Sequence, residues 1–334
     1  VWGLSSSNNN NECYFNGLLE NIITNGKCNK VNPNSGSIRY GGQPLKLNRH
    51  TQLWIDETQD LNETYYHAII KLIETTKIDV IVVGVKLQRL EFENNFMSCA
   101  KRECNIEIIP EPAINVNRRI KVKHMTKKIN DIINFAQFDV PEISMDNENN
   151  LIDAGDNVLE LIESPLIRAG ETGIKLNKYV DDLIECVNKE VEKHDYKPND
   201  FLFVFPIMKS NTIATELETK LNEYWINKLD TKDSKYKQHA VLHKHQEGQV
   251  INTSQSKDAS RIMSIRASKG DGREVVFILN CTEKAIKMCC KNKKNLLYES
   301  YLHVALTRAK SKIYFGLEHN NDDTHKRFGM EGYV

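Results

Sequence analysis

No two of the eight cysteines are spaced as C-x-x-C; Cys99 and Cys104 lie five apart, and Cys289 and Cys290 are adjacent. That spacing argues against a zinc site, and eight cysteines in 334 residues do not make a disulfide scaffold. They read as reduced thiols in an intracellular protein. No apolar run approaches the roughly 18 residues that cross a bilayer. The N-terminus lacks the basic-then-apolar layout of a secretory signal. Neither a membrane nor export is indicated. Excess charge is absent too: 45 Lys and Arg balance 45 Asp and Glu. No global field therefore announces a nucleic-acid or membrane partner, although local patches still can. The chain opens on Val1 rather than Met, and reads as a piece of something longer.

What is present is ordinary globular material, 40% apolar and 27% charged, enough for about two domains. Residues 1–50 are rich in Asn, Ser and Gly and read as an irregular lead-in, with NGLLENII as one short helix. QLWID then reads as a buried strand, ETYYHAIIKLIETT as an amphipathic helix, and DVIVVGV as a fully buried parallel strand. IEIIPEP gives a further short strand, and NRRIKVKHMTKKINDIINFAQ a basic amphipathic helix. Residues 139–157 read as an acidic surface loop. LNKYVDDLIECVNKEVEKH is a helix, FLFVFPI a buried strand, and IATELETKLNEYWINKL a helix with Leu217, Leu221 and Trp225 on one face. Residues 230–258 read as a polar linker. RIMSIRASKG and EVVFILN give two strands around a tight turn, and NLLYESYLHVALTRAKSKIYFGL gives a helix then a strand. Strands alternating with helices predict an α/β fold. The boundary between its two layers falls near residues 110–117, dividing 51–114 from 115–334.

The stretch LWIDETQDL, Leu53–Leu61, drives an apolar strand into Asp56 and Glu57 and adds Asp60 three residues later. Carboxylates at the C-terminal end of a parallel strand stand where open α/β sheets bind ligands. Mg²⁺ is commonly held by one or two carboxylates, phosphate oxygens and waters. A second carboxylate beside it can orient or deprotonate a water for attack on phosphate. Asp56 fits the first role and Glu57 the second. The alternative is a solvated strand end, with an Asp such as Asp60 capping the next helix.

Beyond these carboxylates, the chain resembles the UvrD/Rep-like superfamily 1 DNA helicases, in a divergent form. WIDETQDL resembles their motif II (Walker B), VVGVKLQ motif III, NVNRRI the start of motif IV, SIRASKGDGREVVFI motif V and LHVALTRAKSKIYF motif VI. Five motifs in this order, over Leu53–Gly316, are far more specific than any one of them. The composition also resembles that of large DNA viruses with AT-rich genomes, which would place the protein in a host nucleus or cytoplasm.

The resemblance implies two RecA-like P-loop NTPase-type domains with parallel sheets, the first incomplete here. It implies ATP and Mg²⁺ as ligands, single-stranded DNA or a partial duplex as substrate, and translocation 3′ to 5′. Replication or repair proteins would be partners. By the same likeness Asp56 holds Mg²⁺ and Glu57 activates the hydrolytic water. Gln59 and Gln88 sense the γ-phosphate, with Asp60 beside the nucleotide. Arg119 and Arg308 reach the γ-phosphate from the second domain, where a permanent cation stabilises charge on the transferring phosphoryl oxygens. Ser268, Lys269 and Gly270 lie between nucleotide and DNA. ATP then glues two domains together, and hydrolysis opens the cleft.

Each assignment has a plainer counterpart. Arg119 lies in a run of basic residues that could be a solvated helix face, and Arg118 could exchange roles with it. Arg308 ends an apolar helix, where a cation suits the dipole. Gln88 could be a loop residue, and His303, where the family often has Tyr, reads as packing.

The sequence also departs from the family. No G-x-x-x-x-G-K-[ST] loop is present; Gly26-Lys27 is followed by Cys28 and preceded five residues earlier by Asn21. The expectation is that this loop belongs to a missing N-terminal portion and that the 334 residues alone hydrolyse little or no ATP. The other reading is a catalytically inactive helicase-like module that binds nucleic acid or protein. Motif III has Val85 where the family has Asp and lacks the aromatic continuation that stacks on bases. In motif V the family's Lys-Gly-Leu-Glu becomes Lys269-Gly270-Asp271-Gly272, leaving Asp271 or Glu274 to replace the acid. A metal nuclease built on Asp56, Glu57 and Asp60 would leave the ordered arginine motifs unexplained.

Overall fold

The computed structural model describes residues 50–84, 86–88, 96, 99–100, 116–117, 119–133, 135–136, 142–145, 158–164, 173–229, 238–244, 253–289 and 298–318. The helix expected in NGLLENII, the strand in IEIIPEP, and Arg118 lie outside these residues. The chain divides into two compact units: Val1–Pro110 with Gln246–Gln249, and Glu111–His245 with Val250–Val334. Both are mixed α/β with parallel strands.

In the first unit β1 (Gln52–Ile55) and β2 (Asp79–Val82) pair in parallel, with Leu53 opposite Val80 and Ile55 opposite Val82. Helix α1 (Glu63–Thr76) makes the crossover. Asn62 starts this helix, its side chain accepting from the amides of Thr64 (3.0 Å) and Tyr65 (3.3 Å). Asp60 is therefore not the cap; it is used one step earlier, in a 3₁₀ turn over Thr58–Asp60. The left-handed Lys77 (φ 56°) ends α1. Tyr66, Ala68 and Leu72 are buried, and Tyr66 clusters with Phe96, Cys99 and Ala100. The strands are less buried than their sequences predict: β1 alternates, with Trp54 66% exposed, and the apolar residues of β2 are half-buried. Successive strand side chains leave on opposite faces, so Leu53 and Ile55 share a side that Trp54 does not.

In the second unit, β3 (Val116–Asn117) pairs in parallel with β4 (Ser144–Met145), and helix α2 (Lys123–Ile132) lies between them in sequence. A six-stranded sheet follows. Its elements are β5 (Leu159–Ser164), α3 (Ile174–His194), β6 (Phe201–Phe205), α4 (Thr212–Lys228), β7 (Ala240–Leu242), β8 (Ser260–Ser264), β9 (Arg273–Ile278), α5 (Glu283–Cys289), α6 (Tyr298–Leu306) and β10 (Ala309–Glu318). The strand order is β5-β10-β9-β6-β8-β7, and every pairing is parallel.

A parallel sheet of this kind is covered on both faces, and its inner strands are apolar throughout. All five residues of β6 are buried. Phe203, Phe277 and Tyr314 stack across the three central strands, with centroid separations of 4.6 Å at both steps. Helix α3 adds Tyr179, Val180, Leu183 and Val187 to this core, and α4 adds Leu217, Leu221 and Trp225 on the face its sequence predicts. The indole of Trp225 donates to Ser260 Oγ (3.1 Å), whose own hydroxyl donates to the Pro198 carbonyl (2.8 Å).

Several sequence expectations change here. β8 and β9 are not neighbours around a turn, because β6 inserts between them. The acidic stretch 139–157 contains β4, and the polar stretch 230–258 contains the edge strand β7. Helix α4 stitches that edge: Asn222 Oδ1 accepts from the amides of His239 (2.8 Å) and Ala240 (3.0 Å), and Glu218 Oε1 accepts from that of Leu242 (2.8 Å). Helix α2 begins only at Lys123, so Arg119 lies in the turn before it. Buried Ile120 and Val122 hold that turn extended, and the amide of Lys121 donates to the Lys310 carbonyl (2.7 Å). No described helix is long and apolar enough to cross a membrane.

Candidate functional site

The first group of candidate residues grows out of the end of β1. The ladder continues one step beyond the strand: the amide of Val83 donates to the Ile55 carbonyl (2.8 Å), and that of Thr58 to the Val83 carbonyl (3.1 Å). Thr58 Oγ donates to the same carbonyl at 2.9 Å. Between these anchors the chain turns sharply at Glu57, whose backbone is left-handed (φ 54°). A non-glycine residue pays about 1–2 kcal/mol for that conformation. Asp56 stabilises the turn by accepting the Glu57 amide on Oδ1 (2.7 Å). Gln59 Nε2 donates to Glu57 Oε2. Both carboxylates are exposed, while Gln59 is buried (2% exposed). Asp60 completes the turn with its amide on the Glu57 carbonyl (2.9 Å).

Gly84 follows β2 and lies against this turn. A Cβ there would stand 2.6 Å from both Gln59 Oε1 and Thr58 Oγ1. A side chain at position 84 would therefore force both tips to shift, and the segments resembling motifs II and III meet at this point. Gln88 ends the next 3₁₀ turn, Lys86–Gln88, and is half-buried.

The second group lies entirely in the second unit. Arg119 Nη1 donates to the Thr307 carbonyl (3.2 Å). Its side chain crosses Gly272, where a Cβ would lie 3.0 Å from Arg119 Cδ and 3.1 Å from Nε. Arg308 is adjacent, its carbonyl accepting the Arg273 amide (3.0 Å). Arg308 is buried, 2% exposed. Its guanidinium donates to the carbonyls of Val304 (Nε, 2.9 Å) and Asp271 (Nη1, 3.3 Å) and to Thr307 Oγ (Nη2, 3.1 Å). Residues 119, 272, 307 and 308, from the segments resembling motifs IV, V and VI, converge in one place.

Lys269 and Gly270 lie on the turn between β8 and β9. Gly270 is left-handed (φ 80°), and nothing lies within 4 Å of the place its Cβ would take. Ser268 is fully buried and turns its hydroxyl inward onto the Ile265 carbonyl (2.7 Å). Asp271 and Glu274, the candidates for the missing acid of motif V, are both engaged internally. Asp271 pairs with Arg261 (2.6 Å) and Arg273 (3.4 Å). Glu274 pairs with Lys121 (2.6 Å) and Lys310 (3.5 Å) and accepts from Ser311 Oγ (2.7 Å). Burial pushes the Glu274 carboxyl up, but Lys121, Ser311 and Lys310 more than offset this and hold it below the usual range.

His303 is buried, its ring edge-on to Phe135 at 6.0 Å. Burial, with Arg308 nearby, holds its pKa down to about 4, so the ring is neutral packing. Gly84, Gly272 and Thr307 were not singled out by sequence reasoning. Each stands inside a segment that was, and their importance comes from close approach and a backbone carbonyl, which residue type alone does not announce.

For a metal, no cluster of three or more His, Cys, Asp and Glu occurs among the described residues. A cage made wholly of protein ligands is therefore not offered by them. The exposed Asp56 at a strand end fits the other mode of Mg²⁺ binding, through one carboxylate with phosphate oxygens and waters.

No protein-family model and no curated protein sequence matches the chain. Among solved structures it is similar to the C-terminal domain of a possible DNA helicase from Lactobacillus plantarum WCFS1, at 9% identity and a TM-score of 0.33 over 60% of this chain and 88% of that one. An overlap at that TM-score bears on neither mechanism nor substrate.

Proposed function

We propose that this chain belongs to an ATP-dependent DNA helicase or translocase, with hydrolysis driving movement along single-stranded DNA. The observation that carries the reading is the meeting of Arg119, Gly272, Thr307 and Arg308. Three segments far apart in sequence bring two guanidinium groups to one loop cluster, as a γ-phosphate clamp requires. The turn at Asp56 and Glu57 supports it independently. Glu57 is held in a costly left-handed backbone, and such strain concentrates at functional positions.

In this reading Asp56 holds Mg²⁺, which supplies charge neutralisation on the phosphates. Glu57 takes a proton from the attacking water as its oxygen bonds to the γ-phosphorus and the bond to the β-phosphate oxygen breaks. Gln59, hydrogen-bonded to Glu57, reports whether the γ-phosphate is present, together with Gln88. Arg119 and Arg308 stabilise charge on the transferring group. Lys269 and Gly270 lie between nucleotide and DNA, and Asp60 supports the turn. Movement runs 3′ to 5′, and replication or repair proteins are the expected partners.

The test is DNA-stimulated ATP hydrolysis by the complete gene product, with Arg119→Ala and Arg308→Ala beside the wild type. A fall of roughly 10³-fold or more in turnover for either variant is expected. Wild-type turnover in both would refute the clamp.

One observation favours a second reading, a helicase-shaped binding module without catalysis. Arg308 is buried, and its guanidinium donates to the Val304 and Asp271 carbonyls and to Thr307 Oγ of its own chain. Affinity for a labelled single strand that is indifferent to a non-hydrolysable ATP analogue would support this module. Nucleotide-dependent affinity would support the motor.

A further inference from the structure

Glu274 stands second in β9 with its side chain only 12% exposed, yet it carries no role in the nucleotide chemistry described above. Its two carboxylate oxygens gather three groups from two other segments: Lys121 Nζ at 2.6 Å, Lys310 Nζ at 3.5 Å and Ser311 Oγ at 2.7 Å. Lys121 is also held through its backbone, its amide donating to the Lys310 carbonyl (2.7 Å). The segment 119–121 is therefore fastened twice to the start of β10, once by main chain and once by Glu274. Arg119 lies two residues before the fastening. Its side chain has a narrow track, over Gly272 and onto the Thr307 carbonyl. Without the carboxylate, two ammonium groups gathered around one point would repel each other, and the side-chain half of the fastening would be lost.

We propose that Glu274 is a positioning residue for Arg119: its carboxylate neutralises Lys121 and Lys310 and holds segment 119–121 on β10, so that the Arg119 guanidinium stays on its track over Gly272. Glu274 itself touches no substrate. The inference rests on the reading of Arg119 as a γ-phosphate contact, and its test separates the two.

In the complete gene product with saturating single-stranded DNA, kcat and KM for ATP are measured for Glu274→Gln, Arg119→Ala and the double variant. Glu274→Gln is expected to lower kcat roughly ten- to a hundredfold with KM nearly unchanged, as misplacement of a transition-state group does. In the Arg119→Ala background the same change is expected to have no further effect. Losses that multiply in the double variant, or wild-type kcat in Glu274→Gln, would overturn the proposal. Wild-type kcat in Arg119→Ala would overturn it too, while leaving Glu57 as the test of hydrolysis itself. Amide hydrogen exchange on the 334-residue chain reads the fastening without any activity. In Glu274→Gln, peptides covering 119–124 should exchange about tenfold faster while β6 and β10 keep wild-type protection. Unchanged exchange at 119–124 would overturn the proposal.

Discussion

Gly84 and Gln59 meet so closely that a Cβ at position 84 would lie 2.6 Å from Gln59 Oε1. Thr58 Oγ1 is equally near and is fixed by its bond to the Val83 carbonyl. The residue proposed to sense the γ-phosphate is thus packed against the turn that follows β2. Gly84→Ala should displace Gln59 from Glu57 and cost roughly 1–3 kcal/mol through overpacking. Urea unfolding measures the stability loss, and turnover should fall with it. Unchanged stability would mean that Thr58 and Gln59 yield freely.

At Glu57 the expected stability change has the opposite sign. Its left-handed backbone suits glycine better than a side chain. Glu57→Gly should therefore leave stability at the wild-type level or raise it by up to about 1 kcal/mol, while abolishing turnover. Thermal unfolding and ATP hydrolysis on the same sample check the pair of outcomes. A clear loss of stability would show that the bond from Gln59 to Glu57 outweighs the backbone strain.

The helix-to-edge stitching predicts a large effect from a small polar residue. Asn222 makes three hydrogen bonds to the start of β7, two through Oδ1 and one from Nδ2 to the Ala240 carbonyl (2.9 Å). Asn222→Ala leaves those backbone groups without their partner and should cost about 2 kcal/mol. The midpoint of chemical unfolding measures this, and added protease sensitivity near residues 238–244 would locate it.

His303 gives the fold a pH dependence of definite sign. Its folded pKa, about 4, lies below the ordinary histidine value of 6.5, so the unfolded chain binds its proton first as pH falls. Stability from this group is therefore complete above pH 6.5 and is lost as pH drops towards about 4, by up to roughly 3 kcal/mol. His243, held low by burial and by Arg261, acts in the same direction. His303→Phe keeps the ring against Phe135 and should flatten the acid limb of a stability–pH curve. An unaltered limb would mean that the ring is not held neutral.

The inner strands and the long helices were legible in the sequence because burial writes itself there. FLFVFPI can only be an inner strand, and Leu217, Leu221 and Trp225 repeat at helical spacing. Edge elements were not legible. β7 has three residues, and its stability comes from Asn222 and Glu218 on α4, which no local pattern reveals. β5 reads LELIES, with Glu160 at its second place; that carboxylate pairs with Lys312 and Lys189, from elements distant in sequence. The order of β9, β6 and β8 was hidden for a related reason, since neighbours in a parallel sheet need not be neighbours in the chain. At the candidate site, Asp56 and Glu57 stood out by their chemistry. Gly272 and Thr307 did not, because one matters for the Cβ it lacks and the other for its carbonyl.

The most direct test of the account is Glu57→Gln in the complete gene product that carries this chain. Single-turnover ATP hydrolysis and single-stranded DNA binding are measured side by side. The account predicts that hydrolysis falls by roughly 10²–10⁴-fold, as loss of a general base does, while ATP and DNA still bind. Hydrolysis at the wild-type rate in that variant would contradict it.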